Sequence, residues 1–388
     1  MGYAAARGGL EAIEAAEELV RRKREEGTSP RLEVPQIVER LGLAVDRVVG
    51  EGGLWAPELA AYALRQSEGD IIEAVQLLRA HRSTLPRLAN GLVVEMSELE
   101  LLRRIVPAYR TPPGPQLLGR TLDYVGRILE TDDGGGTNGK PHRAARRRLP
   151  DGQNGNVAAA DGDRAAPGTV ERRPNSLLAV LAAQDLMVEH PRDSDPDPFD
   201  ITAQPVRPGC PRSALLSTMA RGETGALVNL WYRNVLGPDG YIHELTLGEV
   251  RHGRVPVRVL HPHTERPVTI GNVRLTEVQA IEDLDGADEQ RDRFDVGYGL
   301  CFGHNERKAI AMAALDIAVR RDKGASMLEQ SVIMTTDGLD ASGFLEHLKL
   351  PHYVTFRSMV ERKQAMRGGG SRPRQALPAG NAQPAGAK

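Results

Sequence analysis

Two cysteines, Cys210 and Cys301, are all that the 388 residues contain. A disulfide framework is thereby excluded, and a reducing compartment is expected. Aromatic residues are scarce at 4%, so stacking platforms for bases cannot be plentiful. Neither sign of charge dominates, since 50 Lys+Arg against 52 Asp+Glu leave a formal charge of −2. Coating a polyanion by bulk electrostatics needs clustered positive excess, so no nucleic-acid partner is expected. No apolar run approaches the ~18 residues of a membrane span. The first stretch turns acidic by Glu11 and lacks the apolar centre of a secretory leader. These absences together predict a soluble, cytoplasmic protein without membrane insertion.

What is present is an ordinary apolar share of 40%, enough to bury a core, in a chain long enough for two to three domains of roughly 150 residues. The 41 Gly and 26 Pro are unevenly placed. Residues 131–174 are rich in Gly and Arg and nearly free of Leu, Ile, Val and Phe. Such a stretch cannot bury enough apolar surface to offset the entropy of ordering it. Residues 367–388 have the same character. The expected organisation is a helical N-terminal region at 1–130, a low-complexity linker at 131–174, an α/β body at 175–366 and a disordered tail at 367–388.

Helical spacing of apolar residues predicts helices near 9–26, 35–50, 56–67 and 70–82, with Pro35 and Pro57 in tolerated first-turn positions. Asp70 and Glu73 have the charge arrangement of a capping box. In the second part, 215–222 reads as helical, 226–235 as extended or mixed, and 257–261 as a strand. FDVGYGLCF (294–302) alternates, NERKAIAMAALDIAVRR (305–321) is the strongest helix pattern, and SVIMTT (331–336) is a strand candidate. The fold class expected is α+β, a mixed sheet-and-helix body without a clear βαβ rhythm.

Several motifs invite chemistry. Gly134 to Lys140 fits the first seven positions of a phosphate-binding loop, but Pro141 replaces the hydroxyl that the magnesium ion needs, so a linker is the better reading. The segment from Gly297 to Lys308 holds more. Gly297, Gly299 and Gly303 let a backbone approach a ligand closely, and a helix starting near Asn305 would aim N–H groups back at the loop. Arg307 and Lys308 then fall in a first helical turn, where the dipole disfavours cations unless an anion neutralises them. These residues are the candidate phosphate subsite. His347 and His352 bracket HLKLPH. Their spacing is not the i, i+4 pairing of a helical zinc motif, and Pro351 ends any helix before His352. Two histidines alone leave a metal short of ligands.

Ordered blocks carry a resemblance: YAAARGGLEAIEAA (3–16), LAVDRVVGEGGL (43–54), ALRQSEGDIIEAVQLLRAHRSTLPRL (63–88), PGPQLLGRTLDY (113–124), CPRSALLSTMARGETGAL (210–227), GYGLCFGHNERKAIAMAALD (297–316) and GFLEHLKLPHYVTF (343–356). In this order the chain resembles subunit I of the bacterial carbon–phosphorus lyase core complex. The resemblance implies an enzyme of phosphonate metabolism, joining methylphosphonate to the ribose of MgATP with loss of adenine. It implies nucleosidase-like hydrolysis of purine nucleoside triphosphates by the subunit alone, magnesium arriving with ATP, and core partners G, H and J on which ATP-binding-cassette subunits dock. It further implies zinc on His347 and His352. Candidate acid/base or oxocarbenium-stabilising groups are Glu306, Asp316, Asp46 and Asp123. The alternative is a non-catalytic scaffold that positions the radical subunit J through a zinc-clipped interface.

Overall fold

The computed structural model describes residues 9–123, 157–158, 176–188, 197–236, 246–283, 292–322, 326–349 and 353–367. Most of the expected linker, and the expected tail beyond Arg367, lie outside these residues. The chain divides into two compact units, Pro30–Ala341 and a second formed by Met1–Ser29 with Ser342–Lys388. The architecture is α+β. Among the described residues no helix is long and apolar enough to cross a membrane.

The larger unit opens with four short helices, α2 (Val34–Arg40), α3 (Gly42–Gly52), α4 (Pro57–Gln66) and α5 (Ile71–Ser83). Their ends follow from local chemistry. Pro35 and Pro57 lie in first turns, and the Asp70 carboxylate accepts the N–H groups of Ile72 and Glu73. Gly53 closes α3 at φ +63°, a conformation that costs glycine little. The single helix expected over 35–50 is two helices broken at Leu41. These helices share a core built on Val45, Val48, Val49, Ala60, Val75 and Leu78.

The sheet orders its strands β3-β2-β1-β4-β5-β6. The strands are β1 (Glu100–Ile105), β2 (Gln116–Leu117), β3 (Val157–Ala158), β4 (Thr246–Leu260), β5 (Pro267–Asp283) and β6 (Phe294–Phe302). All neighbours run antiparallel except the two-residue pair β2–β3, which is parallel. Thus the stretch before residue 130 supplies strands as well as helices. The strand expected at 257–261 is the end of β4.

Helices α6 (Leu177–Ala183), α7 (Arg212–Arg221), α8 (Thr224–Leu236), α9 (Glu306–Arg321) and α10 (Met327–His347) complete this part of the fold. Two expectations are corrected here. Residues 226–235 form part of helix α8, and 331–336 lie inside α10 rather than in a strand. Short apolar runs do not reveal their own period. Val332 and Leu227 enter the core around α9, and that packing decides the matter. The same core takes Met219 of α7, Val250 of β4, Val278 of β5 and Cys301 of β6.

In the smaller unit, α1 (Gly9–Glu25) has no buried residue, and α11 spans Tyr353–Arg367.

Candidate functional site

Strand β6 leads into α9 through a turn that the sequence singled out. Gly303 sits at φ +74°, and a Cβ there would lie 2.6 Å from that of Asp46. The turn is tied from three sides. Asp46, nearly fully buried, takes Arg274 Nη2 at 2.6 Å and the His304 N–H at 2.9 Å. Thr276 Oγ1 donates to the Gly303 carbonyl at 2.6 Å and accepts from Asn305 N–H at 3.1 Å. Asn305 caps α9 by accepting from Lys308 N–H. The N–H groups of 304, 305 and 308 are therefore engaged within the protein.

A second imidazole lies beneath. His252 stacks on His304 with ring centroids 4.4 Å apart, and its Nδ1 is 3.2 Å from Thr276 Oγ1. Burial, reinforced by neighbouring His304 and Arg274, lowers the His252 pKa to about 3.

The first residue of α9 faces the end of β1. Glu306 Oε1 accepts from Arg103 Nε at 2.5 Å, and His304 Nε2 lies 3.7 Å away. Burial pushes the Glu306 carboxyl up, but hydrogen bonds from His304 and Arg103 outweigh it and hold the group below the usual range. It is ionised at neutral pH. Arg103 also donates to Leu118 O and to Asp123 Oδ2, each at 2.5 Å. Asp123 is half exposed at 51%. One arginine thus joins two of the four candidate carboxylates, and the turn brings Asp46 alongside.

The remaining candidates fall elsewhere. Asp316 has both oxygens occupied: Arg212 forks onto it at 2.9 and 2.5 Å, and the Tyr298 N–H donates at 2.9 Å. It fastens α9 to the edge of β6. Lys308 is fully buried, and its Nζ donates to Ala220 O at 2.6 Å. Its ammonium is directed into the protein, which leaves Arg307 as the exposed cation of the expected pair. Gly297 and Gly299 serve helix packing, because a Cβ would meet Ala313 O at 1.9 Å and Ala309 O at 2.0 Å respectively.

His347 is the last residue of α10, and His352 lies outside the described residues. The phosphate-loop-like stretch at 134–140 lies outside them too. The half-buried His261 and the exposed His263 form a turn in which His261 Nδ1 accepts the N–H groups of His263 and Thr264. Among the described residues no group of three or more His, Cys, Asp or Glu side chains is arranged to hold a metal.

The sequence reading missed a row of buried charges borne by the strands. Arg104 donates to Glu249 at 2.7 Å, Arg251 pairs with Glu277, and Tyr298 OH donates to Glu277 at 2.9 Å. Burial raises the Glu277 carboxyl and, with the neighbouring Glu277, raises Tyr298. The available signal was ionisable residues inside strands of the sheet, in RRI and GEVRHGR.

Comparison with known proteins bears on this arrangement. A family model described as "Bacterial phosphonate metabolism protein (PhnI)" matches residues 2–369. HtxH of Stutzerimonas stutzeri, whose name places it with C-P lyase subunits, is 41% identical over 373 residues, covering 93% of this chain and 95% of that protein. The alpha-D-ribose 1-methylphosphonate 5-triphosphate synthase subunit PhnI of Escherichia coli K12 is 36% identical, covering 92% of this chain and 96% of its own. Its namesake in Rhizobium meliloti is 35% identical, covering 94% and 95%. With the family model spanning nearly the whole chain, this protein belongs to the PhnI family of bacterial phosphonate metabolism proteins.

Proposed function

We propose that the chain is the subunit that breaks the N-glycosidic bond of MgATP within a ribose 1-methylphosphonate 5-triphosphate synthase. The observation that carries this reading is the name of two relatives matched end to end, at 36% and 35% identity. In the reaction the C1′–N9 bond of ATP breaks, a phosphonate oxygen bonds to C1′, and adenine leaves with a proton. Without phosphonate, water takes the same place and the products are base and ribose 5-triphosphate.

Glu306 is the carboxylate best suited to the developing positive charge at C1′. It is ionised, partly open and fixed by Arg103. Asp123, joined to the same arginine, is the second acidic group within reach of this turn. Arg307, exposed at the start of α9, supplies charge for a phosphate, with magnesium carrying the rest. Zinc on His347 and His352 would act as a Lewis acid toward phosphonate or ribose oxygens. The partners are core subunits G, H and J, with ATP-binding-cassette subunits docking, in the cytoplasm.

A scaffold reading competes. Asp46 and Asp316 have both oxygens engaged in structural bonds, so two of the four candidate acids act in architecture. The discriminating experiment incubates the purified chain with MgATP or MgGTP and measures free purine. Base release, lowered roughly 100-fold or more in Glu306→Gln, supports the enzyme. A folded, zinc-loaded chain that releases none supports the scaffold.

A further inference from the structure

A cavity of about 220 Å³ lies between α7, α9 and the start of α10. Its walls are largely hydrocarbon, from Leu215, Met219, Val319 and Val332. Charged groups also line it, and they can be paired off. Arg212 forks onto Asp316. Arg320 lies 3.2 Å from Asp295. Glu329 is left over.

That carboxylate is only 3% exposed. Its Oε1 accepts from Gly209 N–H at 2.8 Å, with Cys210 Sγ at 3.9 Å. Its Oε2 is buried and has no hydrogen-bond partner among the described residues. A buried carboxylate oxygen without a donor is costly, and native structures seldom leave one so. The cavity has room for far more than a single water, which occupies roughly 30 Å³. A metal ion would need more than Glu329 and Cys210, and among the described residues no third ligand joins them. A donor that brings positive charge and tolerates apolar walls would satisfy both this oxygen and the walls around it.

We infer that this cavity binds a small organic ammonium ion, its N–H groups on Glu329 Oε2 and its short hydrocarbon part against Leu215, Met219, Val319 and Val332. The inference goes beyond ribosyl transfer and does not rest on it. The site joins the buried side chains of Leu215, Met219, Val319 and Val332 to a buried carboxylate that pairs with no cation among the described residues.

The test uses the full chain and two probes of like size, propylammonium chloride and 1-propanol, at ionic strength fixed with potassium chloride. Saturation-transfer NMR and calorimetry read binding directly. Saturable binding of propylammonium, at least tenfold tighter than that of 1-propanol, is expected. Glu329→Gln keeps the acceptor for Gly209 and removes the charge, and should weaken propylammonium at least tenfold. Equal binding of the two probes by the unaltered protein overturns the assignment, as does no saturable binding of propylammonium. Undiminished binding by a folded Glu329→Gln variant overturns it equally. The comparison of probes needs no variant, so a misfolded one leaves the test intact.

Discussion

Gly299 of β6 and Ala309 of α9 lie so close that a methyl group on the glycine would stand 2.0 Å from the alanine carbonyl oxygen. Neither backbone can yield without moving a whole element. Helix α9 carries Glu306 at its start and, along its length, the centre of the largest apolar cluster among the described residues, so this approach positions the site.

Gly299→Ala should therefore destabilise the protein by roughly 1–3 kcal/mol or more, the range of overpacked cores. The melting temperature should fall by several degrees. Gly271→Ala, on β5 with open space at its Cβ, is the matched control and should leave stability unchanged or slightly raised. Equal melting temperatures for the two variants would refute the packing role.

Asp316 fastens α9 to Arg212 of α7 and to the Tyr298 N–H of β6. Asp316→Asn should then cost stability more than chemistry. Removing one partner of a buried pair costs about 3–5 kcal/mol. Arg212 retains some exposure here, with 33% of its side chain open, so about 1–3 kcal/mol is expected after screening. Urea midpoints measure this. Purine release per folded molecule should stay near that of the parent. A loss of turnover with stability intact would return Asp316 to the catalytic list.

These two residues also mark what could be read from the chain. Features set by neighbours along the sequence were legible: the Asp70 cap, the first-turn prolines, and Asn305 at the head of α9. The glycine row was noticed as well. Its cause was a helix backbone pressed against a strand, which a pattern of glycines alone cannot distinguish from a ligand loop. Pairings across the chain were invisible. Arg103 meets Glu306 across 203 residues, and Arg274 meets Asp46 across 228. A list of carboxylates cannot say which of them an arginine will claim. Residues 331–336 were misread because three apolar side chains in a row suit a strand or a buried helix equally.

His252 makes a prediction about acid. Its pKa falls from the ordinary 6.5 to about 3 because it is buried next to His304. Between those values the unfolded chain binds a proton that the native state refuses, so stability should decline as pH drops through that window. The contribution is present in full above the unfolded value and is gone below about 3. Its size is on the order of a few kcal/mol. Urea midpoints taken from pH 7 to 4 should fall more steeply for the parent than for His252→Gln. Parallel slopes would remove His252 from the account.

Acid should act on zinc binding with the same sign for a different reason. Histidine binds zinc through a neutral ring nitrogen, so protons compete with the metal as pH falls through the ordinary imidazole range near 6.5. If His347 and His352 hold the ion, metal analysis of the chain purified at pH 7.5 should find zinc, and dialysis at pH 5 should remove it. His347→Ala and His352→Ala should each lower occupancy, whereas His261→Ala should not, since His261 spends its Nδ1 on the N–H groups of its own turn. The effect on turnover then separates two roles. A zinc-free chain that still assembles with its partners but releases no purine places the metal with the substrate. One that turns over normally but fails to assemble makes it a clip. Unchanged zinc content in the double His347→Ala, His352→Ala variant would move the metal away from this motif altogether.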